Sequence, residues 1–264
     1  MGIEFCSLGS GSSGNCQYIG TDSTRLLIDA GFSGKRIEDL LSLIGVCPTT
    51  IDYILVTHEH IDHVKGVGVL SRRYDLPILA NEKTWIAMNR TIGEIRDRNV
   101  MIMEPENDLH LGELGVRSFN IHHDATNPVG YCIHYKDVKI SIITDTGWVC
   151  DNMKDNIRGS SLYLMESNHD IDMLKGGSYP WHLKQRVLSP KGHMSNVHAG
   201  ETLSGILEGC GETILLGHLS KENNTPYLAY KTVEDYIEDM GMDVGVDVSL
   251  GLTYRNKPTR VYCL

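Results

Sequence analysis

Residues 57–63 read Thr-His-Glu-His-Ile-Asp-His, and this short stretch limits what the whole 264-residue chain can be. Three histidines and two carboxylates stand in six positions directly behind a mostly apolar run, residues 51–56, that reads as a buried strand. A strand end is where a rigid scaffold delivers side chains to a site. Imidazole together with carboxylate suits Zn²⁺, Mn²⁺ or Fe. The pattern H-x-H-x-D-H is too dense for one tetrahedral ion, but a turn can splay it so that one pair serves one metal and the next pair another. The competing reading is a solvated polar turn. Turns draw on Gly, Pro, Asn, Asp and Ser, and three histidines fit that reading poorly.

Four further positions follow the same logic. Asp29 and Asp145 each end an apolar run, His122 and His123 follow another, and His218 follows Gly217 behind a fourth. Any one of them alone reads as a cap or turn residue. Together, beside residues 58–63, they point to one site. Spacing does not choose between His122 and His123, which face opposite ways in an extended chain.

Apolar patterning predicts strands over residues 3–8, 16–19, 26–29, 51–56, 76–80, 115–121, 130–135, 138–144, 162–165 and 213–216. It predicts a helix capped by Ser33, with Ile37, Leu40, Leu41 and Ile44 on one face, and another over 64–74. A third starts at Ser195 or Asn196, with Ala199, Leu203, Ile206 and Leu207 inward. The last opens at Thr225-Pro226 and buries Leu228, Val233, Tyr236, Ile237 and Met240. Residues 166–192 read as a looser polar stretch. Strands and helices mix along the whole length, so the expectation is one α/β domain over residues 1–264, with sheets covered by helices.

Composition narrows the class. The net charge of −10 argues against a broadly cationic nucleic-acid coat, though not against a local positive site. Seven scattered cysteines, with no C-x-x-C pair, argue for a reducing cytoplasm. No basic apolar leader and no membrane-spanning run of ~18 residues is visible. Residues 173–200 contain no acid but hold Lys175, Lys184, Arg186 and Lys191, with Tyr179 and Trp181 interleaved. Such a segment can meet a nucleic-acid backbone and stack an end base, or be a solvated helix face. The loop Gly9-Ser10-Gly11-Ser12-Ser13-Gly14-Asn15 is permissive backbone rich in hydroxyls. Ser12, Ser13 and Asn15 are candidates to line a phosphate site, but the loop lacks the G-K-[ST] of a P-loop.

These blocks resemble the metallo-β-lactamase-fold hydrolases, over nearly the whole chain. The likeness is closest to the YycJ/WalJ branch, through the Gly9–Asn15 loop, His123-Asp124-Ala125, Pro128-Val129-Gly130-Tyr131, Glu166-Ser167-Asn168-His169-Asp170, Gly192-His193-Met194-Ser195-Asn196 and Gly217-His218-Leu219-Ser220. Ribonuclease Z and the PhnP phosphodiesterase are similar more distantly. The resemblance implies a four-layer αββα sandwich and two divalent ions, Zn²⁺ or Mn²⁺ and possibly Fe. His58, His60 and His123 would hold the first ion and Asp62, His63 and His218 the second, with Asp145 bridging and Asp29 orienting the histidine loop. The match to the His-Asp-Ala block favours His123 over His122. His193 would clamp the substrate or donate to the leaving group, with Glu166 orienting it. Lys184, Arg186, Ser195 and Asn196 join the candidate substrate contacts.

With two divalent ions, two carboxylates and a bridging hydroxide, the centre would be locally positive inside an acidic chain, which favours an anionic substrate. The resemblance implies a 5′-to-3′ exonuclease on duplex DNA that uses the metal-bridging hydroxide as nucleophile. A small cyclic phosphodiester or RNA processing remains open. From other classes, so does thioester or lactone hydrolysis, or a non-catalytic regulator, because fold does not fix function. Protein partners are not readable.

Overall fold

The computed structural model describes residues 2–264. Its first half comprises β1 (Glu4–Gly9), β2 (Cys16–Gly20), β3 (Arg25–Ile28), α1 (Gly34–Leu43), β4 (Tyr53–Leu55), α2 (Ile61–Val64), α3 (Val67–Tyr74), β5 (Ile78–Ala80), α4 (Glu82–Ile92) and β6 (Val100–Ile102). Its second half comprises β7 (Asp108–Leu111), β8 (Leu114–Asn120), β9 (Val129–Tyr135), β10 (Val138–Ile143), α5 (Asp151–Ile157), β11 (Leu162–Glu166), α6 (Ile171–Gly176), α7 (Trp181–Val187), α8 (Asn196–Ser204), β12 (Glu212–Gly217), α9 (Pro226–Asp239), β13 (Val248–Leu252) and β14 (Tyr262–Cys263).

The strands form two seven-stranded sheets, ordered β14-β1-β2-β3-β4-β5-β6 and β13-β12-β11-β10-β9-β8-β7. Each sheet is antiparallel at one end and parallel from β3 to β6 or from β10 to β13. Continuous apolar runs, rather than alternating ones, are what strands covered on both faces need. Side-chain alternation then sorts each run between two cores. In β4, Leu55 faces the other sheet, while Ile54 and the adjoining Val56 face α1, α3 and α4. In β11, Leu162 and Leu164 enter the inter-sheet core, while Tyr163 and Met165 pack under α5, α8 and α9. Three stacked cores separate four layers, so the architecture is the αββα sandwich expected from the resemblance.

Several local expectations are corrected. Residues 64–74 are not one helix. The chain breaks at Gly66, whose N–H bonds to the Ala30 carbonyl at 2.7 Å and where a Cβ would meet the Phe32 carbonyl oxygen at 2.5 Å. The α9 core face is Ala229, Val233 and Ile237, at i, i+4 and i+8. Met240 caps the end of α9 and is 58% exposed, and Leu228 and Tyr236 are only half-buried. Ile206 and Leu207 are buried beyond the end of α8. The polar stretch before Gly192 contains α6 and α7. The helix α4 was not anticipated, although Asn81 caps it by accepting from Thr84 N–H. Among the described residues no helix is long and apolar enough to cross a membrane.

Candidate metal centre

The carboxyl ends of the parallel strands converge on one edge, where open α/β sheets bind ligands. Asp29 follows β3, residues 57–63 follow β4, Asp145 follows β10, Glu166 ends β11 and His218 follows β12. Asp29, Asp145 and His218 all have left-handed backbone, with φ of 61°, 59° and 55°. Such strain persists at non-glycine residues when the surroundings over-determine it, and it concentrates at functional sites.

Asp29 ties down the histidine loop. Its Oδ1 accepts from Thr57 N–H at 2.9 Å, and its Oδ2 accepts from the Thr57 hydroxyl at 2.8 Å and from His63 Nδ1 at 2.7 Å. His60 caps α2, so Asp62 and His63 project from the first helical turn. Gly31 lets the loop approach: a Cβ there would lie 1.7 Å from the Asp62 carbonyl oxygen and 2.7 Å from Asn15 N. All these atoms are backbone and cannot swing aside. Gly31→Ala is expected to lower stability by about 3 kcal/mol, or roughly 6–12 °C in Tm. Thermal denaturation reads this directly, and a shift under 2 °C would show that the loop relaxes freely.

Outer hydrogen bonds set the histidine tautomers. The Thr57 hydroxyl donates to Asp29, so its oxygen is left to accept from His58 Nδ1 at 3.0 Å. His63 Nδ1 donates to Asp29, His123 Nδ1 to the Gly192 carbonyl at 3.2 Å, and His218 Nδ1 to Glu166 Oε1 at 3.0 Å. In four buried rings Nε2 is therefore the inward lone pair. His60 adds its Nδ1, 3.1 Å from His58 Nε2 and 3.3 Å from His123 Nε2. Metal–nitrogen bonds of 2.0–2.1 Å give a tetrahedral ligand edge of about 3.3–3.4 Å. A second group gathers His63 Nε2, Asp62 Oδ2 at 3.8 Å from it, and His218 Nε2 at 4.0 Å from Asp62 Oδ2. Between the groups lies Asp145, with Oδ1 at 4.0 Å from His123 Nε2 and 3.5 Å from His218 Nε2, and Oδ2 at 3.2 Å from His63 Nε2.

These donors fit a cation. Asp145 Oδ2 and His218 Nε2 are buried without a hydrogen-bond partner, which a native interior rarely tolerates. Charge points the same way. Burial opposes a proton on His63, yet Asp29 and Asp145 hold its pKa well above the ordinary value. Burial also opposes the Asp145 charge, but His218 and His63 hold its carboxyl well below the usual range. Burial, then repulsion from His63, keeps His58 well below its usual value. Donor atoms of His58, His60 and His123 lie within 4.8 Å of one another, as do those of Asp62, His63 and His218.

Glu166 does more than orient His193. Its Oε1 is 2.7 Å from His193 Nδ1 and also takes the His218 Nδ1 proton, while Oε2 accepts from Thr146 N–H at 2.7 Å. Burial works against a charge on His193, but Glu166 outweighs it and pushes its pKa up to about 9. With Nδ1 engaged, its Nε2 is left on the far side of a ring that lines an open cleft. His122 takes no part in the cluster and stacks on Trp148, with ring centroids 5.0 Å apart.

The other candidates divide. Ser12 and Arg186 line the cleft, and Ser13 is exposed on the same loop. Asn15, Ser195 and Asn196 are buried and do not face it. Asn15 closes its own loop by accepting from Gly11 N–H at 2.9 Å, and its amide lies 3.0 Å from His63 Nε2. Ser195 caps α8 by accepting from His198 N–H, and Asn196 accepts from the Ser167 hydroxyl. Small polar side chains at turns and helix starts satisfy their own segment first. Lys184 turns away from the cleft to donate to the Lys175 carbonyl. Sequence reasoning missed Ser10, whose hydroxyl accepts from His218 N–H, and Asn168, whose amide donates to the His218 carbonyl. Both stand in the quoted blocks, which was the available signal. Asp124, beside His123 and paired with Arg186 at 2.6 Å, also had no role assigned.

A family model described as the metallo-beta-lactamase superfamily matches residues 9–193. Exodeoxyribonuclease YycJ of Bacillus anthracis is 43% identical over 99% of this chain and 99% of its own. Exodeoxyribonuclease WalJ of Streptococcus pneumoniae is 43% identical over 94% of this chain and 93% of its own. The solved metallo-beta-lactamase fold protein YhfI of Bacillus subtilis superimposes with a TM-score of 0.71 at 17% identity, over 98% of this chain and 99% of that one. At that identity the likeness concerns the fold.

Proposed function

The chain belongs to the metallo-beta-lactamase superfamily, and from that premise we propose that it is a dinuclear-metal exodeoxyribonuclease that degrades duplex DNA from 5′ ends. His58, His60 and His123 hold one divalent ion, Zn²⁺ or Mn²⁺. Asp62, His63 and His218 would hold the other, and Asp145 would serve both. When bound, the ions supply an acidified water at neutral pH and offset the charge on the phosphoryl oxygens.

The chain's own residues do the rest. Glu166 holds His218 and His193 by their Nδ1 protons, so His193 presents Nε2 to the scissile phosphate as a positive clamp and proton donor. Asp29 and Thr57 keep the histidine loop from rotating. One observation carries the choice of substrate. The segment over residues 173–200 forms a wall of the cleft beside His193 through Tyr179, Leu183, Arg186 and Val187, an aromatic and apolar face on which a base can stack. The names of the YycJ and WalJ relatives support a DNA substrate. The seven unpaired cysteines suit a reducing cytoplasm.

The test is duplex DNA labelled separately at each end, incubated with purified protein and Mn²⁺ or Zn²⁺, with Asp62→Ala as control. Mononucleotides released from the 5′ end, and not by the variant, are expected. Turnover of a small phosphodiester with DNA left intact would sink the exonuclease reading. His193→Ala is expected to slow DNA cleavage by about 10²-fold. A loss under threefold would place the proton donor elsewhere.

A further inference from the structure

A cavity of about 340 Å³ opens beside His193 and His218. That is the lower end of small-ligand sites, the scale of a single nucleotide. Tyr179, Leu183 and Val187 make one side aromatic and apolar, and Ser220 and Asn223 make the other polar. Apart from His193, the charged residues of the wall balance, Arg186 and Lys221 against Asp124 and Glu222, and Arg186 is already paired with Asp124. Positive charge is therefore concentrated at His193, and the part walled by Tyr179, Leu183 and Val187 is uncharged. It suits an uncharged ring with polar edges.

Asn223 supplies the second observation. The residue is 2% exposed, and its Oδ1 has no partner. Its backbone is engaged, with N–H to the Ser220 hydroxyl and carbonyl from Asp170, but its side-chain amide makes no hydrogen bond among the described residues. Asn224, next in the chain, shows the contrast. Its amide donates to the Ser167 and Asn168 carbonyls, and its Oδ1 accepts from Asn196 and from Thr225 N–H. One asparagine is saturated by the fold, and its neighbour at the wall of the cleft has Oδ1 packed toward Gly177 and an unpartnered amide N–H₂. A buried unpaired amide is unfavourable and calls for a partner the protein does not contain.

We propose that this cavity receives the unstacked base of the terminal nucleotide, with Tyr179 against its face and the Asn223 amide on its edge. This rests on the exonuclease reading above. An amide carries a donor and an acceptor, and half a turn of its plane exchanges them. One residue can thus meet any of the four bases, as an enzyme that must proceed through every sequence requires. A base at a duplex end, and above all a mismatched one, is the easiest to extract.

The test uses metal-loaded protein and three end-labelled duplexes, whose terminal nucleotide is paired, mismatched or abasic. Wild type is expected to cut the mismatched end fastest and the abasic end about tenfold less efficiently than the paired one. In Asn223→Leu, which keeps the branched outline at a larger bulk and removes the amide, the paired-to-abasic ratio of kcat/KM is expected to fall below about threefold. Its Tm is expected to hold or rise, since an unpaired buried polar group is removed. Should Asn223→Leu fold poorly, Tyr179→Ala is expected to compress the same ratio. Equal cutting of paired and abasic ends by wild type, or a wild-type ratio in the folded variants, overturns the base pocket and leaves the exonuclease reading standing. Wild type that cuts none of the three duplexes overturns both.

Discussion

Asp145→Asn is expected to fold like the parent protein and to lose at least ~10³-fold in kcat/KM on duplex DNA, about 4 kcal/mol of transition-state stabilisation. The substitution isolates charge from shape. Asparagine has the same outline, and it tolerates the left-handed backbone at this position, φ 59°, better than most residues. What disappears is a carboxylate that faces both donor groups, 4.0 Å from His123 Nε2 in one and 3.2 Å from His63 Nε2 and 3.5 Å from His218 Nε2 in the other. Without it the proposed pair of cations would lose the negative charge they share. The measurement is kcat/KM on end-labelled duplex, alongside a melting curve showing that the variant is folded. Retention of more than a tenth of the wild-type rate would falsify the bridging role.

The second large effect concerns stability. Removing metal with a chelator should lower Tm by roughly 8–16 °C, and adding Mn²⁺ or Zn²⁺ back should restore it. Asp145 Oδ2 and His218 Nε2 have no hydrogen-bond partner in the protein, and inward nitrogens of His58, His60 and His123 crowd one another. An ion at a thousand times its Kd stabilises by about 4 kcal/mol by mass action alone. Differential scanning calorimetry with and without EDTA decides it. Coincident transitions would mean that the cluster closes on itself and needs no ion.

The cluster was legible because its density is local. Three histidines in six positions behind a strand leave little else for residues 58–63 to be, and Asp29, Asp145 and His218 stand at strand ends that parallel pairing must bring to one edge. Spacing left His122 and His123 open, the resemblance favoured His123, and what keeps His122 out of the cluster is not local. Trp148 lies far along the chain and holds His122 by stacking. The same limit explains the misplaced substrate contacts. Ser195 and Asn196 stand beside His193 in sequence, but a residue at a helix start caps before it reaches outward. The break at Gly66 was hidden because it answers to the Ala30 carbonyl across the fold. Strand β14 pairs Cys263 with Glu4, a contact between the two ends of the chain that no window of sequence contains.

The three left-handed residues at the ends of β3, β10 and β12 bear on how such a chain evolves. Glycine at 29, 145 or 218 would relax the backbone at every one of these turns and would erase the site. Relief of strain would be offset by what leaves with the side chains, the three Asp29 hydrogen bonds and the donors at 145 and 218. A homologue that has glycine in place of these Asp and His residues is expected to have lost the metal together with the stability that comes with it, and is better read as a retired enzyme than as a weak one.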